Sequence, residues 1–519
     1  MQTSYAEKIY GAVKRKAAEN ALPLLTALIT GLVTYLFCFA NKLEIHDDLG
    51  NMFSQGYPVS SGRWGLEIIE KIFPTASIPW LNGLVSLFLF SVSICIIIRM
   101  FEIRSPLLQT LLAAVLVSFP SQMTTYAYMF TTIQYACGIL LSVWAAYVLS
   151  RRDDRIGLAT GGVLLVLSLS IYQPYIAVAA SLLVVRCFAL TLSEDHTGKE
   201  IIIRGLKYVA VIVISMAVYY GILAIFKSLS DMPFNAYAEG SLNSFSDILK
   251  GVVISYTSYA GYFIKGYYDI VRPGAPRVAH FAVLIVCCIL LIRHFGRSEA
   301  RKNGRLGAAL LCLCLLPLAV NCIHVISSLF HNLMTFSFVS FYVLAAVVLE
   351  ACGKESGTKP RTGWICTDIT ALSLCVVMIT NVYFANAVYL RMYMQEEQAK
   401  AFYQTVLSAL NAQPDFDENS WVIFFGENDV LNDFPVISTE NQAGIREGIL
   451  QTYGQEYFIR YYLGLRLNTN ILTESTIPEG WDDVIDWDAV IDMPSYPAYG
   501  CVQKMGESDG SSIFFVRLG

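Results

Sequence analysis

Residues 41–73 read NKLEIHDDLGNMFSQGYPVSSGRWGLEIIEKIF, a polar stretch that opens directly behind the first long apolar run of the chain. Asp47 and Asp48 stand side by side only a few residues past that run, which places them close to a membrane surface. Further on, Trp64, Ile68, Ile69, Ile72 and Phe73 recur at helical spacing while Glu67, Glu70 and Lys71 take the other side. That pattern describes an amphipathic helix lying on a bilayer. Its start, Ser60-Ser61-Gly62-Arg63, combines hydroxyl caps, backbone N–H groups and an arginine, which suits an anion. An acid pair and a phosphate-compatible site are therefore expected at head-group depth. Two adjacent carboxylates repel, so one should have a raised pKa, moderated by His46 or Arg63.

Composition sets the class. The chain has 519 residues, of which 55% are hydrophobic and 15% charged, too apolar for an ordinary soluble protein of this length. A bilayer core of about 30 Å needs about 20 apolar residues per helix. Eleven segments meet that need: 22–40, 77–98, 106–121, 131–149, 156–172, 174–192, 208–227, 279–293, 306–325, 332–350 and 364–388. Short cytoplasmic loops collect Lys and Arg. With the N-terminus inside, 21 basic residues fall on the inner side and eight in the outer loops before residue 391. The fold expected is a polytopic α-helical membrane protein with a small C-terminal extracytoplasmic α/β domain. Its domains are residues 1–390, carrying the outer loop 41–76, and residues 391–519.

The C-terminal segment holds 20 acidic against 7 basic residues from Arg391 onward, which argues against nucleic acid as a partner. Within it, residues 395–411 read as an amphipathic helix, 421–425 (WVIFF), 489–493 (AVIDM) and 512–518 (SIFFVRL) as strands, and 444–464 as a second helix. Asp415-Phe416-Asp417 and Asp486-Trp487-Asp488 match a metal-binding Asp-x-Asp pattern only at the level of chance in so acidic a segment, and no metal is assigned there. Twelve of the thirteen cysteines lie in or beside apolar runs; Cys501, alone in the C-terminal segment, has no partner there for a disulfide. His46, His280, His324 and His331 fall near the level of the acid pair without metal-ligand spacing. They read as polar helix ends, with a divalent cation as the sharper alternative. No P-loop, dinucleotide fingerprint or nucleophile elbow occurs, and no cofactor is expected.

Three further stretches face the expected outer side. Tyr126, Tyr128, Phe130 and Tyr135 read as an interfacial aromatic belt or as a wall for stacking sugars. Tyr172-Gln173-Pro174-Tyr175 interrupts an apolar run and makes a tight turn, because proline removes a donor and pushes its neighbour out of the helical region. Residues 245–277 interleave tyrosines with Lys265, Arg272 and Arg277. They are interface anchors or a groove in which aromatic faces hold sugar rings and cations hold a lipid phosphate. Charged residues are nearly absent from the central thirds of the spans, which fits surface chemistry better than a transport path.

The order of features resembles the GT-C superfamily of membrane glycosyltransferases. More closely, HDDL and GRWGLEII in the first outer loop, SLSIYQPYIAVAAS at 168–181 and ITNVYFANAVYL at 379–390 resemble the serotype-converting O-antigen glucosyltransferase family (Gtr type II). The resemblance implies a bacterial cytoplasmic-membrane enzyme that moves a hexose, glucose above all, from a polyprenyl-phosphate donor to a hydroxyl of a surface glycan on the outer leaflet. It makes Asp47 the catalytic aspartate with Asp48 its neighbour, and Arg63 the arginine of the family's Gly-Arg-Trp. Around them, Arg63, Lys265 and Arg272 are expected to bind the donor phosphate, and His46, Trp64, Tyr172 and Gln173 to line the substrate. The competing readings are a flippase or transporter of lipid-linked saccharides and a glycan-binding module without catalysis.

Overall fold

The computed structural model describes residues 15, 18–54, 56, 58–72, 76–229, 245–264, 274–297, 301–327, 330–352, 360–417, 419–426, 454–464, 471–473 and 477–518. The chain divides into two compact units, Met1–Ala40 with Phe53–Asn386, and Asn41–Met52 with Ala387–Gly519. The division differs from the expected one in two ways. It falls at residue 386 rather than 390, and residues 41–52, assigned by sequence to the membrane domain, belong with the C-terminal segment. The reason is visible at Leu49, which is fully buried in one core with Phe402, Tyr403, Phe458 and Phe514.

In the first unit, ten of the described helices are long and apolar enough to cross a membrane, from Ala21–Ala40 to Gly363–Asn411. The expected fifth span is an apolar helix of 17 residues, Arg155–Ile171, shorter than the others. It ends where the sequence predicts a break: Gln173–Tyr175 forms one 3-10 turn before the helix Ile176–Thr191 begins. The amphipathic stretch forms a helix at Trp64–Ile72, preceded by the 3-10 turn Pro58–Ser61. Trp64, Gly65 and Leu66 are buried, while Ile68 and Ile72 remain exposed. Close approach fixes this helix against Arg155–Ile171, since a Cβ at Gly65 would stand 2.2 Å from Ser170 Oγ.

Two expectations for this unit are corrected. Tyr126 and Tyr135 do not form an exposed belt; both are buried, Tyr126 against Tyr35, Phe39 and Phe90. Part of the interfacial candidate 245–277 is a helix, Phe245–Ile264, bonded into the bundle through Tyr256 to the Cys314 carbonyl and through Ser255 and Asn321. Lys265 and Arg272 lie outside the described residues.

In the second unit the helix Pro360–Asn411 contributes its last turns. Ala399, Phe402, Tyr403, Val406, Leu407 and Leu410 recur every three or four residues and cover one face of a four-stranded sheet. The strands are β1 (Trp421–Phe425), β2 (Ile471–Thr473), β3 (Val502–Ser508) and β4 (Ser511–Arg517), in the order β2-β1-β4-β3. β1 is parallel to both neighbours, and β3 and β4 form an antiparallel hairpin. Alternation sorts the sheet's side chains. Val422, Phe424, Phe514 and Val516 meet the helices, whereas Ile423, Ile513 and Phe515 meet Ile485, Val490 and Met493.

The sequence reading of this segment holds for WVIFF and SIFFVRL and fails elsewhere. AVIDM is part of the helix Trp487–Asp492, because the Asp486 carboxylate caps it by accepting from the Ala489 N–H at 3.1 Å. Residues 395–411 are no separate helix but the end of the 52-residue one. Of the second expected helix, Gly454–Tyr462 is described and 444–453 lies outside the described residues.

Candidate functional site

The acid pair sits on a five-residue helix, His46–Gly50. Asp48 is fully buried and Asp47 half-buried; the side chain of His46 lies outside the described residues. Lys42 Nζ stands 2.5 Å from Asp48 Oδ2 and 2.5 Å from Glu44 Oε1. Tyr462 donates its hydroxyl to the same Glu44 oxygen at 2.6 Å. Two buried carboxyls thus share one ammonium. Burial works against the Lys42 charge, but Asp48 and Glu44 outweigh it and hold the ammonium above its ordinary range. Burial pushes the Glu44 carboxyl up to about 8, and the nearby Asp48 adds to the rise while Lys42 opposes it. The Tyr462 phenol is pushed up as well, by burial first and by Glu44 next.

A raised carboxyl stands in this loop at Glu44, which the sequence reading did not single out. The pairing also limits what Asp48 can do. Its side chain is enclosed, with one oxygen on Lys42. Asp47 is the carboxylate of the pair with surface to offer. Its backbone carbonyl accepts from the Asn51 N–H at 3.1 Å and from Asn51 Nδ2 at 2.8 Å, which closes the short helix behind it.

The second neighbourhood belongs to the membrane unit and gathers four of the expected residues. Arg63 donates from Nη1 to the Tyr135 hydroxyl at 2.9 Å, and its guanidinium carbon lies 4.9 Å from the Tyr172 ring centroid. Tyr135 and Tyr172 stack with centroids 4.9 Å apart, so the guanidinium rests on a double phenol layer. Gln173 donates from Nε2 to the Ser61 carbonyl and to the Tyr219 hydroxyl, each at 2.9 Å, and Tyr219 donates onward to the Gly62 carbonyl at 2.8 Å. Gly62 has a φ of 76°, and a Cβ there would meet Gln173 Nε2 at 2.7 Å and the Tyr219 hydroxyl at 2.8 Å. Glycine is thus required twice, for the turn and for the room. Trp64 is buried in a stack with Phe226 and Tyr219, and its Nε1 has no hydrogen-bond partner among the described residues. Beside Gln173 and Tyr219 a cleft opens whose other walls are mostly apolar, with Leu223, Ile323, Ile326 and Met334 alongside Tyr220 and Ser327.

Sequence reasoning missed Lys42, Glu44, Tyr462 and Tyr219, and it named Tyr135 only as part of an aromatic belt or sugar-stacking wall, not as a partner of Arg63. For the first two a signal existed: one lysine among three carboxylates within seven residues of a short loop is an ion cluster in waiting. For Tyr462 there was none, because it stands 418 residues from Glu44. The remaining candidates have structural roles. His280 Nε2 is hydrogen-bonded to the Tyr342 hydroxyl at 2.8 Å, and His324 stacks on Phe330. Asp415 pairs with Lys504, and Asp417 holds the turn at Ser420. Among the described residues no three His, Cys, Asp or Glu side chains form a group that could hold a metal ion.

The family model for Glucosyl transferase GtrII matches residues 36–349, a range that includes both neighbourhoods except for Tyr462. The chain matches no curated protein and no solved structure.

Proposed function

The chain belongs to the Glucosyl transferase GtrII family, and on that premise we propose that this membrane glycosyltransferase takes glucose from a polyprenyl-phosphate donor and delivers it to a hydroxyl of a surface glycan on the outer leaflet. In the transfer, the acceptor oxygen loses its proton to the Asp47 carboxylate and attacks the anomeric carbon. The bond from that carbon to the phosphate oxygen breaks, and its electron pair leaves on polyprenyl phosphate. A positioned base and a cation at the departing phosphate are what such a step needs.

The observation that carries the reading is the Arg63 neighbourhood. A guanidinium on stacked phenols, next to a cleft with apolar walls, offers a phosphate its charge and an isoprenoid its contacts. Asp47 supplies the proton acceptor, and Asp48, Lys42 and Glu44 position it. Trp64, Tyr172 and Gln173 support the arginine and its turn rather than touching sugar with their full faces, since Trp64 and Tyr172 are buried.

The proposed setting is a bacterial cytoplasmic membrane with the N-terminus inside and the C-terminal unit outside. A cysteine placed at Ser508 should react with an impermeant thiol reagent on intact cells and one at Glu194 should not; the reverse labelling contradicts the orientation. The activity itself is tested by incubating the purified protein with a panel of polyprenyl-phosphate hexoses and a glycan acceptor. Release of polyprenyl phosphate with the glucose donor supports the proposal. Translocation of donor without cleavage refutes it in favour of a transporter.

A further inference from the structure

The C-terminal unit concentrates aromatic and acidic residues on one face of its sheet, the face opposite to the one that packs Leu49. Residues 477–500 contain six Asp and Glu, two Trp and two Tyr, and no Lys or Arg. Alternation along β1 sends Trp421 to the same side as Ile423 and Phe425. There it joins Trp481 and Trp487 on one apolar cluster built on Ile423, Ile513 and Phe515. Trp421 meets Trp481 edge-to-face, with centroids 5.0 Å apart at 87°, and Trp487 meets Phe515 in the same way at 5.9 Å and 75°. The cluster holds three indoles in place without covering them, since all three are only half-buried.

Carboxylates accompany the rings along the chain. Asp483 follows Trp481 by two residues, Asp486 and Asp488 flank Trp487, and all three acids are exposed. Asp483 and Asp488 form no ion pair or side-chain hydrogen bond among the described residues, while Asp486 commits one oxygen to capping the helix Trp487–Asp492. On that helix Ile491, four residues after Trp487 and so on its side, is 62% exposed. A surface of this charge repels phosphates and anionic head groups. The core of a protein interface is depleted of Asp and Glu, which speaks against a second protein as its occupant. A saccharide fits both features. Its apolar C–H face lies on an indole, and its hydroxyls donate to carboxylate oxygens.

We propose that Trp421, Trp481 and Trp487, with Asp483 and Asp488, form a surface of the C-terminal unit that binds an uncharged stretch of glycan. The occupant follows from the glucosyl-transfer reading, on which the proposal rests: such an enzyme has a glycan acceptor, and a polymeric acceptor has residues to spare beyond the hydroxyl that reacts. The surface takes no part in the transfer itself. It gives a long acceptor a second point of attachment, which raises the effective concentration of the acceptor chain.

The test is equilibrium binding of the full chain in detergent, without donor, to lipid-free polysaccharide released by mild acid from the surface of the cells that make the protein. The wild type should bind saturably. Trp487→Ala should raise the dissociation constant about tenfold and Trp487→Phe by less, the loss of one aromatic contact. Asp483→Ala, at an exposed position, should raise it about fivefold, the loss of one hydrogen bond. Trp364→Ala, at a 70% exposed tryptophan of the first unit, should leave it unchanged. No saturable binding by the wild type, equal binding by Trp487→Ala and Asp483→Ala, or an equal loss in Trp364→Ala overturns the surface. So does a wild type that is dimeric where Trp487→Ala is monomeric, which gives the face to a second copy. Release of polyprenyl phosphate from the glucose donor, measured on the same proteins, separates the two readings. Transfer without polysaccharide binding removes the surface alone; binding with these variant effects but without transfer upholds the surface and removes the transfer reading alone.

Discussion

Residues 41–52 and the Arg63 neighbourhood come from one stretch of sequence, yet they hold their charges by opposite means. In the first, an ammonium is held by acids: partly exposed Lys42 meets the buried Glu44 and Asp48, and a phenol completes the set. In the second, the cation rests on π faces and donates to a phenol oxygen beside a glycine turn. A buried ion cluster fixes geometry, because removing one member leaves another uncompensated. A guanidinium resting on aromatic rings has its plane fixed, which suits a group proposed to meet a phosphate. Under the proposed function, the first region positions the base and the second recognises the donor.

The largest effect expected is at Asp47. Asp47→Asn removes the proton acceptor at nearly constant shape, and turnover should fall about 10²–10⁴-fold, the usual contribution of a positioned base. Turnover at the wild-type rate, measured on purified protein at matched expression, removes Asp47 from the chemistry. Next comes Lys42→Met, which leaves Asp48 buried without its cation. A loss of about 3–5 kcal/mol of stability at alkaline pH is expected from breaking a buried pair, read by denaturant unfolding of the full chain. No loss means that the ion cluster does not hold residues 41–52.

The smallest effect is a pH dependence. Glu44 moves from an ordinary value of 4.5 to about 8 in the folded chain, so the folded state binds the extra proton between those values. Its contribution to stability is complete below pH 4.5 and is lost as pH rises through about 8. Glu44→Gln, which imitates the protonated acid, should flatten the unfolding temperature across this window. A profile identical to that of the wild type shows that Glu44 does not titrate there.

What was legible in the sequence follows from range. Apolar runs and the Pro174 break are local, and the helices stand where the runs do. The Gly-Arg-Trp and Tyr-Gln-Pro-Tyr motifs were each readable, and each residue singled out in them lies in the Arg63 neighbourhood. That Tyr135 closes over Arg63 was not, since a tyrosine in an aromatic run reads the same whether it faces lipid or a guanidinium. The AVIDM helix was missed because one capping carboxylate outweighed a β-rich composition. The assignment of residues 41–52 to the C-terminal unit rests on Leu49 and Tyr462, contacts that no local pattern announces.

The division of labour is tested most directly by equilibrium binding of polyprenyl-phosphate glucose to the wild type, Asp47→Asn and Arg63→Lys. Lysine keeps the charge of Arg63 but loses its planar fork and its stacking. The account predicts wild-type affinity for Asp47→Asn and an affinity about tenfold weaker for Arg63→Lys, the loss of one charge-assisted hydrogen bond. Equal affinity in all three proteins, or weakened binding by Asp47→Asn alone, contradicts it.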